Sequence, residues 1–347
     1  MSGHTLALHS SESVIAMVQH EYAQVNGIRL HYVTAGSGAL LLFLHGFPDF
    51  WYLWKDQIAH FSQSYRVVAP DLRGYNVSEK PDDPAQYRLP IIVEDIRALL
   101  DHLGQQPIIL IGHDWGSVVA WELAARYPAY LAKLIIFSTA PLDIIRRALR
   151  DPAQRQEWMY QLMVTCPQAE QILRAGDHYL FDLTVFGADV KVPPGYFTQA
   201  DRAAYHAAWA QPGAIRGGVN YYRAARLLDY FSATDRQSFI DTGTHPEHNI
   251  GGERFFDGLS PEDVFGPVAA PPAEDLHDDV SGLDVLTPTL LIVGEKEGFA
   301  LTDRFDWFEL RVRYGTRVQI PNSGHRIIHE QSALVTEHIQ KFIVDDT

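Results

Sequence analysis

Ile109-Leu110-Ile111-Gly112-His113-Asp114-Trp115-Gly116-Ser117 is the stretch on which the reading of this chain turns. An apolar strand, Ile108 to Ile111, runs into Gly112, Gly116 follows, and a helical run extends from Ser117 to Tyr127. Strand, sharp turn and helix form the layout of a G-x-nucleophile-x-G elbow. Its glycines permit a tight turn that lifts the middle side chain above a sheet. The lifted residue is Asp114, a carboxylate where such elbows commonly carry a hydroxyl.

Upstream of the elbow, strand and helix alternate. Tyr22 to Thr34 alternates apolar and polar residues around Asn26-Gly27, a hairpin signal. Ala39 to Leu44 is a continuous apolar strand that ends in His45-Gly46-Phe47-Pro48. Trp51, Trp54, Ile58 and Phe61 stand at near-helical spacing. Tyr65 to Ala69 reads as a strand ending in Pro70-Asp71-Leu72-Arg73-Gly74-Tyr75, and Ile91 to Leu103 as a helix stopped by Gly104. Leu134 to Phe137 is a further buried strand. Such alternation predicts a parallel sheet with crossover helices.

From about residue 143 to 283 the alternation stops, and helical stretches such as Asp151 to Val164 and Gln199 to Trp209 are interrupted by Pro and Gly. It resumes with Leu290 to Gly294 and Arg317 to Ile320 and closes with an amphipathic helix, Ser332 to Val344. The expected organisation is therefore a leader (1–21), a first core part (22–142), an inserted, mainly helical lid (143–284) and a second core part (285–347). Ile250 to Asp284, rich in Gly, Pro and acid, is expected to be an irregular excursion of the lid. The fold class is α/β, a mostly parallel sheet flanked by helices.

Composition narrows the function. The 347 residues are 46% hydrophobic, enough for a sizeable core. Forty-three acidic against 28 basic residues give a formal charge of −15, which argues against a nucleic-acid or anionic-membrane partner. No basic flank and apolar run mark a signal peptide, and no apolar run approaches the roughly 18–20 residues of a membrane span. The single cysteine, Cys166, rules out an internal disulfide and fits a reducing, cytoplasmic location. None of the 16 histidines falls in a Cys/His cluster with zinc-ligand spacing, so neither metal nor organic cofactor is expected.

In open parallel sheets, reactive groups gather at the carboxyl ends of strands. Here those ends carry His45-Gly46-Phe47-Pro48, Asp114-Trp115, Glu297 and His325. A carboxylate, a second acid and a histidine therefore follow one another as Asp114, Glu297, His325.

With these motifs, and with Asp71 to Tyr75, Gly294-Glu295-Lys296-Glu297, Ser323-Gly324-His325 before Glu330-Gln331, and Val219-Asn220-Tyr221-Tyr222-Arg223, the chain resembles the epoxide hydrolases of the α/β-hydrolase superfamily. The likeness covers about residues 22–145 and 285–345, with islands between. It implies the α/β-hydrolase fold with an inserted lid, and conversion of an epoxide plus water to a vicinal diol. Asp114 is ionised at neutral pH and attacks an sp³ carbon without a base. The resulting alkyl-enzyme ester is cleaved by water activated by His325, with Glu297 orienting the imidazole. The backbone N–H groups of Phe47 and Trp115 are the expected oxyanion donors, each worth roughly 3 kcal/mol.

An epoxide leaves as an alkoxide and so needs a proton donor, a role tyrosine suits. The family pattern places two in the lid. Tyr222 matches one and Tyr160 the other, with Tyr179 and Tyr221 as fallbacks. Should Glu297 not complete the triad, Glu295, Asp303 and Asp306 are the alternatives. His45 and His113 are expected to pack or hydrogen-bond locally, His329 to be incidental and Cys166 inert. The lid aromatics Trp158, Tyr179, Phe181, Phe186 and Trp209 suggest a small apolar epoxide as substrate. A haloalkane or haloacid dehalogenase with the same nucleophile is the rival enzyme, although Phe47 lacks the side-chain amide that many haloalkane dehalogenases place there. A non-catalytic binding protein on a hydrolase frame is the rival from another class. The oligomeric state is left open, a homodimer included.

Overall fold

The computed structural model describes residues 14, 16–104, 106–187, 190–241, 256, 258–268, 284–297 and 306–345. Eight strands form one sheet in the order β1-β2-β4-β3-β5-β6-β7-β8. They are β1 (Gln19–Val25), β2 (Ile28–Ala35), β3 (Leu40–Leu44), β4 (Arg66–Pro70), β5 (Ile108–His113), β6 (Leu131–Phe137), β7 (Thr289–Gly294) and β8 (Gly315–Ile320). From β4 to β8 every pairing is parallel, while β2 runs antiparallel to both β1 and β4. β3, β5 and β7 are buried along their whole length, as strands covered on both faces must be.

The edge hairpin closes on Asn26 and Gly27, both at positive φ (42° and 78°), with Val25 opposite Ile28. Two residues at positive φ match the twist of a two-residue hairpin. β1 starts at Gln19, so the end of the expected leader is part of the sheet: Gln19, His20 and Glu21 pair with Thr34, Val33 and Tyr32. The side-chain alternation that signals a strand is weak there because Gln19 to Tyr22 are all exposed.

Helices α1 (Lys55–Phe61), α2 (Leu89–Leu103), α3 (Trp115–Arg126) and α8 (Ser332–Val344) flank the sheet. α2 ends where Gly104 takes a left-handed φ of 67°. Between β6 and β7 the chain makes an insertion whose main helices are α4 (Tyr160–Thr165), α5 (Ala169–Phe186), α6 (Gln199–Trp209) and α7 (Ala214–Ala224). The stretch 151–164, expected as one helix, is broken. Pro152–Arg155, a 3₁₀ turn Gln156–Trp158 and then α4 follow one another, the backbone staying right-handed at each junction, and Trp158 is buried. Within the expected excursion, Ser260 caps a short helix, Pro261–Phe265. Residues 242–255, 257 and 269–283 lie outside the described residues.

Buried polar contacts fasten the insertion to the sheet. Asp201 of α6, fully buried, accepts from Lys55 Nζ at 2.7 Å and Tyr52 Oη at 2.9 Å. Tyr205 donates to Asp49 at 2.8 Å, and the Trp209 indole N–H to the Pro48 carbonyl at 2.7 Å. Tyr221 donates to the Arg73 carbonyl at 2.9 Å. Among the described residues, no helix is long and apolar enough to cross a membrane.

Candidate active site

The turn after β5 puts Asp114 at φ 53°, ψ −124°, a conformation a non-glycine residue holds only when its surroundings over-determine it. Its carbonyl starts α3, accepting from Ser117 N at 2.9 Å and Val118 N at 3.2 Å. The side chain therefore stands above the sheet edge while the backbone is locked into the helix.

The two carboxylate oxygens have different partners. Oδ1 accepts the Phe47 backbone N–H at 2.6 Å. Oδ2 lies 3.6 Å from His325 Nε2, an ion-pair contact. A Cβ on Gly46 would fall 2.0 Å from Oδ1, so only glycine lets the loop after β3 reach the carboxylate. Trp115 supplies the first backbone N–H of α3, and among the described residues it makes no hydrogen bond to Asp114.

His325 follows β8, and its Nδ1 lies 2.9 Å from Glu297 Oε2, whose side chain is fully buried. Its backbone carbonyl accepts from His113 Nε2 at 2.8 Å. Burial alone would lower the His325 pKa, but the Glu297 and Asp114 carboxylates outweigh it and raise it to about 10. Burial also opposes ionisation of Asp114. His325, then His113 and the Phe47 N–H, overcome it and hold the carboxyl below its usual range. His113, buried and next to the His325 charge, is held neutral, its pKa pushed down to about 4.

The phenols come from the insertion. Tyr160 opens α4, and Tyr222 lies on α7, with ring centroids 6.2 Å apart and nearly perpendicular. Tyr222 packs edge-on against Trp115 (5.1 Å) and Phe47 (5.5 Å), the two residues flanking the carboxylate. Burial is the main cause that raises both phenol pKa values, with the Asp114 charge adding to it. Both are therefore O–H donors at neutral pH.

α7 reaches this position by backbone-to-backbone contact. A Cβ on Gly217 would lie 2.1 Å from the Gly74 carbonyl oxygen, and one on Gly218 2.7 Å from the Phe47 ring. The small residues bring the helix down onto the Gly74 loop and the Phe47 ring.

The structure thus brings Asp114, His325, Glu297, Tyr160, Tyr222, Phe47 and Trp115 to one place. The fallbacks go elsewhere. Tyr179 is 45% exposed, and Tyr221 spends its hydroxyl on Arg73. Glu295 accepts from Asn322 N, Asp306 is exposed at the start of the helix Asp306–Arg311, and Asp303 lies outside the described residues. His45 is buried, accepting from Leu72 N at 3.0 Å. Cys166 is buried, its thiol pushed up to about 12 by burial.

The chain matches the α/β hydrolase fold family over residues 39–331. It is 37% identical to mouse epoxide hydrolase 4 over 339 residues, covering 94% of this chain and 80% of that protein. It is 38% identical to the AB hydrolase superfamily protein YfhM of Bacillus subtilis over 216 residues, 60% of this chain and 74% of that one. A crystal structure of a point mutant of an epoxide hydrolase from Bacillus megaterium, in complex with its product, superposes with a TM-score of 0.73 at 28% identity, covering 94% of this chain and all of that one.

The chain belongs to the epoxide hydrolases of the α/β-hydrolase superfamily.

In this epoxide hydrolase the sequence reading missed a second buried cluster beside the triad. Arg326, next to His325, pairs with Asp49 on the loop that carries Phe47. Asp49 also accepts from Tyr205, and His329 sits between Tyr205 (3.3 Å) and Tyr196 (3.1 Å). His329, expected to be incidental, is thus buried in the fastening of the insertion, its pKa pushed down to about 3 by burial. The available signal was adjacency: Asp49 follows His45-Gly46-Phe47-Pro48, and Arg326 follows His325.

Proposed function

We propose that this enzyme opens an apolar epoxide to a vicinal diol through a covalent ester on Asp114. One observation carries the reading: a carboxylate with one oxygen held by a backbone N–H and the other turned to a histidine, roofed by two phenols that are protonated in the resting enzyme.

In the first step Asp114 Oδ2 attacks one ring carbon, the C–O bond breaks, and Tyr160 and Tyr222 hydrogen-bond the departing oxygen. One of them gives up its proton, so the product leaves as an alcohol rather than an alkoxide. Esterification removes the Asp114 charge, one of the causes that keep His325 protonated. The imidazolium passes its proton to the tyrosinate, restoring the phenol, and the neutral imidazole then takes a proton from water, Glu297 compensating the imidazolium that forms again. Hydroxide attacks the Asp114 carboxyl carbon, and Oδ1 becomes the oxyanion. The Phe47 N–H already points at it, with Trp115 N–H the second donor. Collapse breaks the C–Oδ2 bond to the carboxyl carbon, freeing the diol. The proton on the water-derived oxygen of Asp114 passes to the departing diol oxygen, so Asp114 returns as a carboxylate beside a protonated His325.

The insertion acts as the lid, residues 143–284 in this reading. Phe181 and Trp209 pack at a tilt (5.0 Å) beside Phe47, and Trp158 stacks on Tyr160 (6.4 Å), which supports an apolar, aromatic-tolerant pocket. The related Bacillus megaterium enzyme is described with a naphthyloxy diol as product. The lone, buried cysteine supports action in the cytoplasm.

A single turnover in oxygen-heavy water, followed by mass analysis of the Asp114 peptide, tests the proposal. The heavy oxygen is expected in Asp114, and H325Q is expected to stop at an Asp114 adduct carrying the substrate mass. Label confined to the diol would mean direct hydration and would end the ester mechanism.

A further inference from the structure

α5 does not run straight. Midway along it Ala175 takes an extended ψ of 149°, and Gly176, Asp177 and His178 follow at left-handed φ of 57°, 55° and 67°. Consecutive left-handed residues with side chains are strained and persist only where other contacts demand them. The kink turns Asp177 and His178 toward His206 of α6. His178 Nδ1 lies 3.6 Å from Asp177 Oδ1, and His206 Nδ1 lies 3.7 Å from Asp177 Oδ2. One donor atom from each of the three residues lies within 4.8 Å of the other two.

Two further observations point to a ligand. His178 is only 8% exposed, and among the described residues its Nδ1 has no hydrogen-bond partner. His206 Nε2 lies 2.9 Å from Asp182 Oδ1. Donating there uses the one proton of a neutral imidazole, leaving Nδ1 a bare lone pair facing the Asp177 carboxylate. A carboxylate backing a histidine on its far side is how proteins orient metal-binding imidazoles.

We propose that Asp177, His178 and His206 form a site for a nitrogen-preferring divalent transition metal, zinc being the type case, with water as fourth ligand and Asp182 orienting His206. Ligands about 2.0–2.1 Å from a tetrahedral zinc stand about 3.3–3.4 Å apart; each imidazole lies within 3.7 Å of one Asp177 oxygen, and one donor atom from each residue lies within 4.8 Å of the others, so binding draws the three together by up to roughly 1.5 Å. Two imidazoles and one carboxylate select zinc, cobalt, nickel or copper over magnesium or calcium. Arg174 acts on His178, and Arg202 lies 3.6 Å from Asp182. These cations balance the two carboxylates, so the ion is held by its direct bonds and not by a surplus of negative charge.

The metal would clamp the α5 kink to α6. The His178 ring lies parallel to Phe181 at 6.3 Å, and Phe181 meets Phe47 edge-on at 5.3 Å. The site is therefore one aromatic layer from the residue whose N–H holds Asp114. It steadies the insertion and takes no part in bond making.

The test uses the full chain stripped with a chelator and titrated with zinc chloride against a chromophoric competitor, and in parallel with cobalt(II) chloride. One equivalent of zinc is expected to bind and raise the melting temperature, and cobalt(II) is expected to show the visible absorption of a tetrahedral N,O site. D177N, isosteric and at an exposed position, should fold as the parent and weaken binding at least about tenfold. H206A should abolish binding, and D182N should weaken it by about 10–100-fold. Absence of stoichiometric zinc binding would overturn the proposal. So would an equivalent bound with unchanged affinity by D177N and H206A, or magnesium bound as tightly as zinc.

Discussion

Replacing Gly217 with alanine tests how α7 delivers its phenol. In an exposed helix interior this change stabilises by about 1 kcal/mol, because alanine is the better helix former. Here the new Cβ would lie 2.1 Å from the Gly74 carbonyl oxygen and 2.6 Å from its Cα, both backbone atoms of a loop whose φ of 88° is itself fixed. Real contacts of this kind do not fall below 3.0 Å, so α7 must lift by about 1 Å. Overpacking of this size costs about 1–3 kcal/mol, which reverses the sign of the helix-propensity gain. Tyr222 rides on the same helix, and a misplacement of about 1 Å at a reacting group is worth on the order of 10²-fold in rate. The expected result is a melting temperature lowered by a few degrees and a kcat/KM for an apolar aryl epoxide lowered about 100-fold. In single-turnover experiments the loss should fall on ester formation. G218A supplies the internal comparison, since its Cβ meets side chains rather than backbone, the edge of the Phe47 ring at 2.7 Å and Tyr75 at 3.5 Å, and a side chain can swing away. It should lose less. A G217A enzyme as stable and as fast as the parent, or a G218A enzyme worse than G217A, would refute close helix packing as what positions the phenol.

Tyr222→Phe and Tyr160→Phe should each slow ester formation by about 10²–10⁴-fold, the usual worth of a positioned acid, and the double variant should form no measurable ester. Stability should respond to pH on both sides. His329 and His113 have folded pKa values of about 3 and about 4, below the roughly 6.5 of an unfolded histidine, so the folded state binds fewer protons and stability falls as pH drops below about 6.5. His325, raised to about 10, contributes stability that is complete below about pH 6.5 and lost as pH climbs toward 10. Thermal melts across this range should peak near neutrality, D114N should move the alkaline decline to lower pH, and an alkaline limb identical in D114N and parent would count against the Asp114–His325 pairing.

The sheet was legible because its signals are local. β3, β5 and β7 read as uninterrupted apolar runs, and Asn26-Gly27 and Gly104 mark a turn and a helix stop by conformations only a few residues adopt. Strand order left no such trace, since which neighbour β3 chooses depends on crossovers that a periodicity scan does not see. Nor was α7 legible as a helix: Gly217 and Gly218 lower its intrinsic propensity, yet they are what bring it onto the sheet. α5 was hidden for the opposite reason, because a left-handed break interrupts its period. At the site, residues that follow parallel strands share one sheet edge, so Asp114, Glu297 and His325 could be grouped from their order alone. Asp49 with Arg326 could not, because two side chains far apart in the chain had to meet in a buried pair.

That pair has a consequence for how the site holds together. In the proposed mechanism the sheet delivers a carboxylate, a base and an oxyanion donor on three separate loops, and the insertion delivers the acids. Asp49 stands two residues from Phe47, and Arg326 stands beside His325. Their bond therefore ties the loop bearing the Asp114 Oδ1 donor to the loop bearing the group that faces Oδ2. Tyr205 adds the insertion to the same knot. A buried ion pair of this kind contributes little net stability against an apolar replacement. Its value here lies in geometry: the two partners of one carboxylate cannot drift apart without pulling a buried guanidinium away from the aspartate that neutralises it.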